Sequence, residues 1–180
     1  KSNFLAALAA ALLRQGRENW QLLAYTLRRS PPLASLAARQ PGLVLHQSQE
    51  DVVQDCQALA ARLKSELLLE RPLVLLIDDL DAAYEQGREA LRNSFEALAP
   101  LVRDRSDVFL AASGSVENLR NGMATSMVRM LKQSNTGIAF SNDAMVLEWL
   151  GVQPQFVMPF RKMEFPAGRG IFVSKKPALV

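Results

Sequence analysis

The sequence predicts an α/β fold: a mainly parallel sheet flanked by helices. Three observations carry this. Apolar runs of four to six residues alternate with segments of helical period along the 180 residues, the order expected of β-α-β units. Leu73–Ile77 is apolar at every position, which marks a central parallel strand covered on both faces. With 49% apolar and 22% charged residues the chain is globular, and its length suits a single domain spanning residues 1–180 that buries about 70% of its unfolded surface.

The elements follow in order. Phe4–Leu13 is the longest apolar run, ten residues, half of the ~20 a bilayer crossing needs. A signal peptide would place a small-residue cleavage site after it, but Arg14-Gln-Gly-Arg17 follows, so it reads as a helix apolar all round and buried. Trp20–Tyr25 reads as a short strand, ended by Arg28-Arg29-Ser30-Pro31-Pro32, because two prolines cannot continue a ladder. Leu43–His46 is a second strand. Ser48 with Asp51 three residues on has the form of a capping box. It opens a helix with Val52, Cys56, Leu59, Leu63 and Leu67 on one face. After Leu73–Ile77 and Asp78-Asp79-Leu80-Asp81, helix is expected to about Val102. Val108–Ala112 is a strand stopped by Ser113-Gly114-Ser115. A Met-rich helix is expected to about Gln133, with Met123, Met127 and Met130 on one face with Val116 and Leu119. That stripe reads as core or as an adaptable peptide groove. Gly137–Phe140 is a strand, Asp143–Leu150 a short helix, and Ile171–Ser174 a last strand. Residues 151–167 hold three prolines and read as an extended surface connection.

Composition narrows the chemistry. Cys56 is the sole cysteine, which excludes an internal disulfide and any cysteine-based zinc cage. His46 is the sole histidine, which excludes histidine-cluster metal sites and leaves few routes to a Ser-His-Asp triad. The net charge of +3 is small, but it divides into about +5 over residues 1–39, −6 over 40–110 and +4 over 111–180. Basic segments around an acidic middle suit an anionic ligand with acids left over for a cation; solvated helix faces give the same count.

In an open α/β sheet, ligands sit at the carboxyl ends of the strands, so the polar residues there are the ones to weigh. Lys1-Ser2 opens the first helix. A helix N-terminus favours phosphate. A lysine there reaches β- and γ-phosphates and a serine hydroxyl ligates Mg²⁺. This is the tail of a P-loop. The chain begins with Lys1 rather than Met, and the glycine-rich part is expected before residue 1. A dipeptide is a weak signal, but Leu73-Val-Leu-Leu-Ile-Asp78-Asp79 supplies its complement, a Walker B strand. In it Asp78 holds Mg²⁺ through water and Asp79 orients the attacking water. The plainer reading is a strand followed by a helix cap. Ser113, at the end of the next strand, has two readings: a polar sensor near the γ-phosphate, as in RecA-like P-loop proteins, or, with Ser115, a cap of the following helix.

At this point the chain resembles the FtsK/SpoIIIE-type ATPases, most closely the C-terminal ATPase domain of type VII secretion motors. The matching pieces are Lys1-Ser2-Asn3-Phe4-Leu5, Tyr25-Thr-Leu-Arg28-Arg29-Ser30, Leu43-Val-Leu-His46, Leu75-Leu-Ile-Asp78-Asp79, Gly137-Ile-Ala-Phe-Ser-Asn-Asp143, Leu147-Glu-Trp-Leu-Gly151 and Phe165-Pro-Ala-Gly168-Arg169-Gly170-Ile171. The resemblance implies a RecA-like fold with ATP and Mg²⁺ as ligands. It implies a cytoplasmic domain of a longer membrane-anchored protein, working beside other ATPase domains of the same chain and hexameric in the full-length motor. It also implies recruitment of small helical secreted substrates through their C-terminal signals. Arg169, between two glycines, either points at a phosphate or is an exposed turn residue. Where an efficient ATPase of this family carries Asp-Glu, this chain has Asp78-Asp79, one methylene shorter; sites fail over about 1 Å, so ATP binding is expected more firmly than turnover. A DNA-translocating motor of the same superfamily is the alternative, disfavoured by the low net charge and the lack of a Lys/Arg run. A docking module that has lost ATP and keeps only substrate-signal binding is another.

Overall fold

The structure, a computed structural model, describes residues 2–16, 19–141, 143–153, 169–174 and 178–179. Lys1, most of the proline-bearing connection and Phe165–Gly168 lie outside the described residues. The chain divides into two compact units, residues 1–122 and 123–180.

The first unit is a parallel sheet of β1 (Gln21–Thr26), β2 (Leu43–His46), β3 (Leu73–Asp78) and β4 (Val108–Ala112), in the order β2-β1-β3-β4. β3 is interior and buried at all six positions, as its unbroken apolar run predicts. Each fully buried Leu or Ile there contributes about 1.5–3 kcal/mol. Helices cover both faces. Leu22, Ala24, Leu43, Val74 and Leu76 point to one face and pack with Leu5 and Ala9 of α1 (Ser2–Arg14) and Leu33 of α2 (Pro31–Arg39). Tyr25 has the opposite parity. Its ring meets Phe95 of α4 (Glu89–Arg103) at 6.2 Å, and its hydroxyl donates to Asp55 Oδ2 of α3 (Gln49–Ser65) at 2.6 Å.

Cys56 lies on the buried face of α3, and burial pushes its thiol up to about 12, the mark of an inert core cysteine. Burial first, then Cys56 and Asp55, also drive the Tyr25 hydroxyl far above its ordinary range. His46, for which the sequence offers no partner, faces Asp55 Oδ1 across 3.7 Å.

Several expectations are corrected. α1 is not buried all round: only Leu5 and Ala9 are inside, and Phe4 is 36% exposed, because α1 lies on one face of the sheet and shows its other side to solvent. α2 is a helix that the double proline concealed. Both prolines sit in its first turn, where a missing N–H costs nothing. The α3 stripe stops at Leu63, since the helix ends at Ser65 and Leu67 is 93% exposed. The long helix expected after Asp81 is broken into a 3₁₀ turn, Leu80–Tyr84, and α4; between them Gly87 takes φ +81°, which only glycine adopts freely. The Met-rich helix is likewise broken, into α5 (Val116–Leu119), a 3₁₀ turn at Arg120–Gly122 and α6 (Ser126–Gln133). Met123, Met127 and Met130 therefore do not share a helix face with Val116 and Leu119, and Met127 is core.

The second unit holds an antiparallel sheet, β5 (Gly137–Ala139), β6 (Ile171–Val173) and β7 (Ala178–Leu179), in that order. α7 (Ala144–Trp149) is capped by the Asp143 carboxylate, which accepts from Met145 N–H at 2.8 Å. Ala139, Leu147, Val152, Ile171 and Val173 form its core. Gly170 is required here: a Cβ would stand 2.7 Å from the Ala139 carbonyl oxygen.

Arg105 links β4 to the end of α3, donating to the Leu63 and Glu66 carbonyls and to both Asp107 oxygens. The Arg105 guanidinium, opposed by burial and helped by the Leu69 N–H, lowers Asp107 to about 2. A carboxyl depressed in the folded state contributes stability above its unfolded value near ~3.9 and loses it as pH falls toward the folded one. Denaturant melts of Asp107→Asn should therefore show a stability deficit at pH 7 that shrinks between about pH 4 and pH 2; a deficit independent of pH would contradict this assignment.

Candidate functional site

The carboxyl edge of the first sheet gathers the acids. Asp78 is the last residue of β3 and has the parity of Val74 and Leu76, so it faces the α1 side. It is 1% exposed. Ser113, next after β4, donates its hydroxyl to Asp78 Oδ1 at 2.5 Å and accepts from Asp79 N–H at 3.0 Å. Its backbone N–H continues the ladder to the Ile77 carbonyl at 2.8 Å. Asp78 Oδ2 is buried with no hydrogen-bond partner among the described residues. An ionised oxygen stranded in this way costs several kcal/mol unless something compensates it.

Neither serine acts as a side-chain cap of α5. Asp81 does that work: its Oδ1 accepts from Ser115 N–H at 3.1 Å and its Oδ2 from Asn118 Nδ2 at 3.1 Å. Burial alone would raise the Asp81 carboxyl, but those two bonds and Arg28 outweigh it and hold it below its ordinary value. Gly114 keeps the turn tight; a Cβ there would meet Leu119 Cδ1 at 3.0 Å and Asp81 Oδ1 at 3.2 Å.

Asp79 takes the left-handed conformation, φ 55° and ψ 48°, uncommon for a residue with a Cβ. Its Oδ1 lies 3.6 Å from Arg28 Nη1. Sequence reasoning assigned Arg28 no role. The signal for one was a cation two residues past a strand that neighbours the acid-bearing strand. Thr26, also unassigned, pairs in register with Asp78 and is buried.

α1 carries Ser2 toward the same edge. The six residues after Arg14 lead into the first residue of β1, so α1 runs against the strands. At about 1.5 Å per residue its 13 residues match the length of β3. Ser2 is half-buried in the opening turn. Asp78, Ser113 and α1 thus share one face and one edge, and Asp79 adjoins them. Lys1 lies outside the described residues. Arg169 belongs to the second unit and is exposed immediately before β6.

The donor set suits magnesium better than a protein-caged metal. No group of three or more His, Cys, Asp or Glu is arranged for a metal among the described residues, whereas Mg²⁺ keeps several waters and needs only one or two protein oxygens beside substrate phosphates. The stranded Asp78 Oδ2 is such an oxygen. A cavity of about 610 Å³ opens elsewhere in this unit, beside β2 and α3. Its lining includes Trp20, Val44, Asp55, Arg62 and Arg71, together with Gln21 and Leu73 at the amino ends of their strands. None of the acids at the carboxyl edge lines it.

Three solved structures match the chain over 99% of its length. They are ATPases 2 and 3 of Thermomonospora curvata EccC in complex with a signal sequence peptide (TM-score 0.69, 17% identity), the cytoplasmic domain of the Thermomonospora curvata type VII secretion ATPase EccC (0.71, 17%), and the cytoplasmic domain of EssC (0.69, 16%). The chain spans 34%, 22% and 36% of those chains respectively. The sequence matches no protein-family model and no curated protein. The likeness is one of fold: the α/β arrangement of these secretion ATPase domains.

The Ser113 hydroxyl satisfies the buried Asp78 carboxylate and the N–H of half-buried Asp79 at once. Ser113→Ala should cost about 1–3 kcal/mol of stability, the penalty of leaving a buried donor or acceptor unpaired, read as a shifted urea midpoint. A change within a few tenths of a kcal/mol would show that the bridge is not made.

Proposed function

We propose that this chain is a nucleotide-binding ATPase domain of an FtsK/SpoIIIE-like type VII protein secretion motor, binding ATP with Mg²⁺ at the carboxyl edge of the parallel sheet. One observation carries the reading: Asp78 is buried with one oxygen bonded to Ser113 and the other without a partner among the described residues, on the face that carries α1.

In this reading Lys1 and the opening turn of α1 bind the β- and γ-phosphates. The Ser2 hydroxyl and Asp78 hold Mg²⁺, which neutralises phosphate charge when bound. Ser113 fixes the Asp78 carboxylate and senses the γ-phosphate. Asp79 orients the attacking water, and Arg169 reaches a phosphate of a neighbouring domain. Hydrolysis is weak or absent, because Asp79 is one methylene shorter than glutamate and is drawn toward Arg28. Residues 1–180 act as one domain, a reading supported by matches that cover 99% of the chain. It is a cytoplasmic domain of a membrane-anchored protein, a reading supported by its likeness to the cytoplasmic domains of EccC and EssC; no described helix is long and apolar enough to cross a membrane. Other ATPase domains of the same chain are its neighbours in a hexameric motor. It contributes to recruiting small helical secreted proteins, supported by the signal sequence peptide bound to the EccC fragment. Nucleic acid is not favoured as a partner.

Titration of the full-length protein with a fluorescent ATP analogue tests the site. Binding should require Mg²⁺ and should weaken about tenfold or more, some 1.4 kcal/mol, in Asp78→Asn and in Lys1→Ala. Folded protein that fails to bind, or binding indifferent to both substitutions, counts against the proposal.

A further inference from the structure

Arg28 follows β1 and reaches three acids at the carboxyl edge. Nη1 and Nη2 both donate to Asp81 Oδ2 at 3.1 Å, Nη2 donates to Glu85 Oε1 at 2.5 Å, and Nη1 stands 3.6 Å from Asp79 Oδ1. Two of these acids are anchored in turn. Asp81 is buried and bonded to Ser115 and Asn118. Glu85 Oε2 faces Arg88 Nε across 3.6 Å, and Arg88 donates to the Leu27 carbonyl at 3.2 Å. A fork held at several points is pre-organised, so little conformational freedom is lost when it engages one more oxygen.

Asp79 is therefore held from two directions. Its N–H is fixed by Ser113, which follows β4, while its carboxylate faces Arg28, which follows β1. In the order β2-β1-β3-β4 these lie on opposite sides of β3. Ser113 also holds Asp78, so the approach of Asp79 to Arg28 lies across β3 from the Asp78–Ser113 contact. The left-handed backbone of Asp79 is sparsely populated by residues with a Cβ and persists only where its surroundings hold it.

In ATP hydrolysis a water oxygen bonds to the γ-phosphorus, the bond from that phosphorus to the bridging oxygen of the departing ADP breaks, and the water gives up a proton. The carboxylate that orients this water must lie within hydrogen-bond reach of it. Arg28, across the strand and 3.6 Å from Asp79 Oδ1, draws the carboxylate the other way.

We propose that Arg28 is a positioning residue that holds Asp79 off the attacking water and so restrains hydrolysis while leaving nucleotide binding intact. The inference rests on the ATPase reading above, and binding and turnover separate the two.

In the full-length protein, steady-state ATP hydrolysis and Mg²⁺-dependent binding of a fluorescent ATP analogue would be measured for wild type, Arg28→Gln, Arg28→Lys, and Arg28→Gln combined with Asp79→Asn. Arg28→Gln should raise kcat about tenfold, a fraction of the ~10²–10⁴ that a positioned acid or base supplies, with KM unchanged. Adding Asp79→Asn should abolish the gain. Arg28→Lys keeps a charge beside Asp81 but lacks the fork, and should fall between wild type and Arg28→Gln. It carries the comparison if Arg28→Gln does not fold. A kcat unchanged or lowered in the folded variants, with analogue binding intact, overturns the proposal. No analogue binding by wild type sinks the ATPase reading and this inference with it.

Discussion

A carboxylate at the end of a strand covered on both faces has few ways to be satisfied. Asp78 illustrates the constraint: β3 is interior to the sheet and buried along its length, so its last side chain cannot reach bulk water. Ser113 answers one oxygen and the protein leaves the other unanswered. The surroundings follow from that arrangement. The same hydroxyl fixes the Asp79 N–H, and Asp81, rather than a serine, organises the turn into α5. Three acids within four residues are tolerated because each has a different partner set.

What the sequence made legible was decided by burial. β2 and β4 match their apolar runs residue for residue, and β1 and β3 are displaced or extended by a single residue. The Ser48 cap donates its geometry as its spacing suggested, accepting from Asp51 N–H at 3.0 Å. The misses share a cause: helical period was carried across positions where the backbone turns. Gly87 separates the 3₁₀ turn from α4, and the residues after Leu119 leave helical register before α6 begins. Leu67 has the right spacing but lies beyond the end of α3, and spacing cannot report where a helix stops. Pro31-Pro32 read as a breaker when it was a beginning. The antiparallel character of the second sheet was not legible either, because runs of three residues carry no direction.

The placement of the candidate residues was legible in part. Asp78, Asp79 and Ser113 lie together at the carboxyl edge, as their positions at strand ends imply. Arg28 was overlooked because a basic pair before two prolines looks like solvent-exposed loop; its importance depends on β1 lying next to β3, which no local pattern reveals. The cavity beside α3 makes the complementary point. It offers about 610 Å³ of space, yet its charged lining residues are partly committed to structural bonds, as Arg62 is to Glu66 and Gln21. Volume locates space, whereas an unanswered buried oxygen locates chemistry.

A crystal structure of the full-length protein with Mg²⁺ and a non-hydrolysable ATP analogue tests the central claim most directly. The account predicts the triphosphate at the opening turn of α1 and the metal facing Asp78 Oδ2 through water. Nucleotide lodged instead in the cavity beside α3, or a metal that leaves Asp78 untouched, would contradict it.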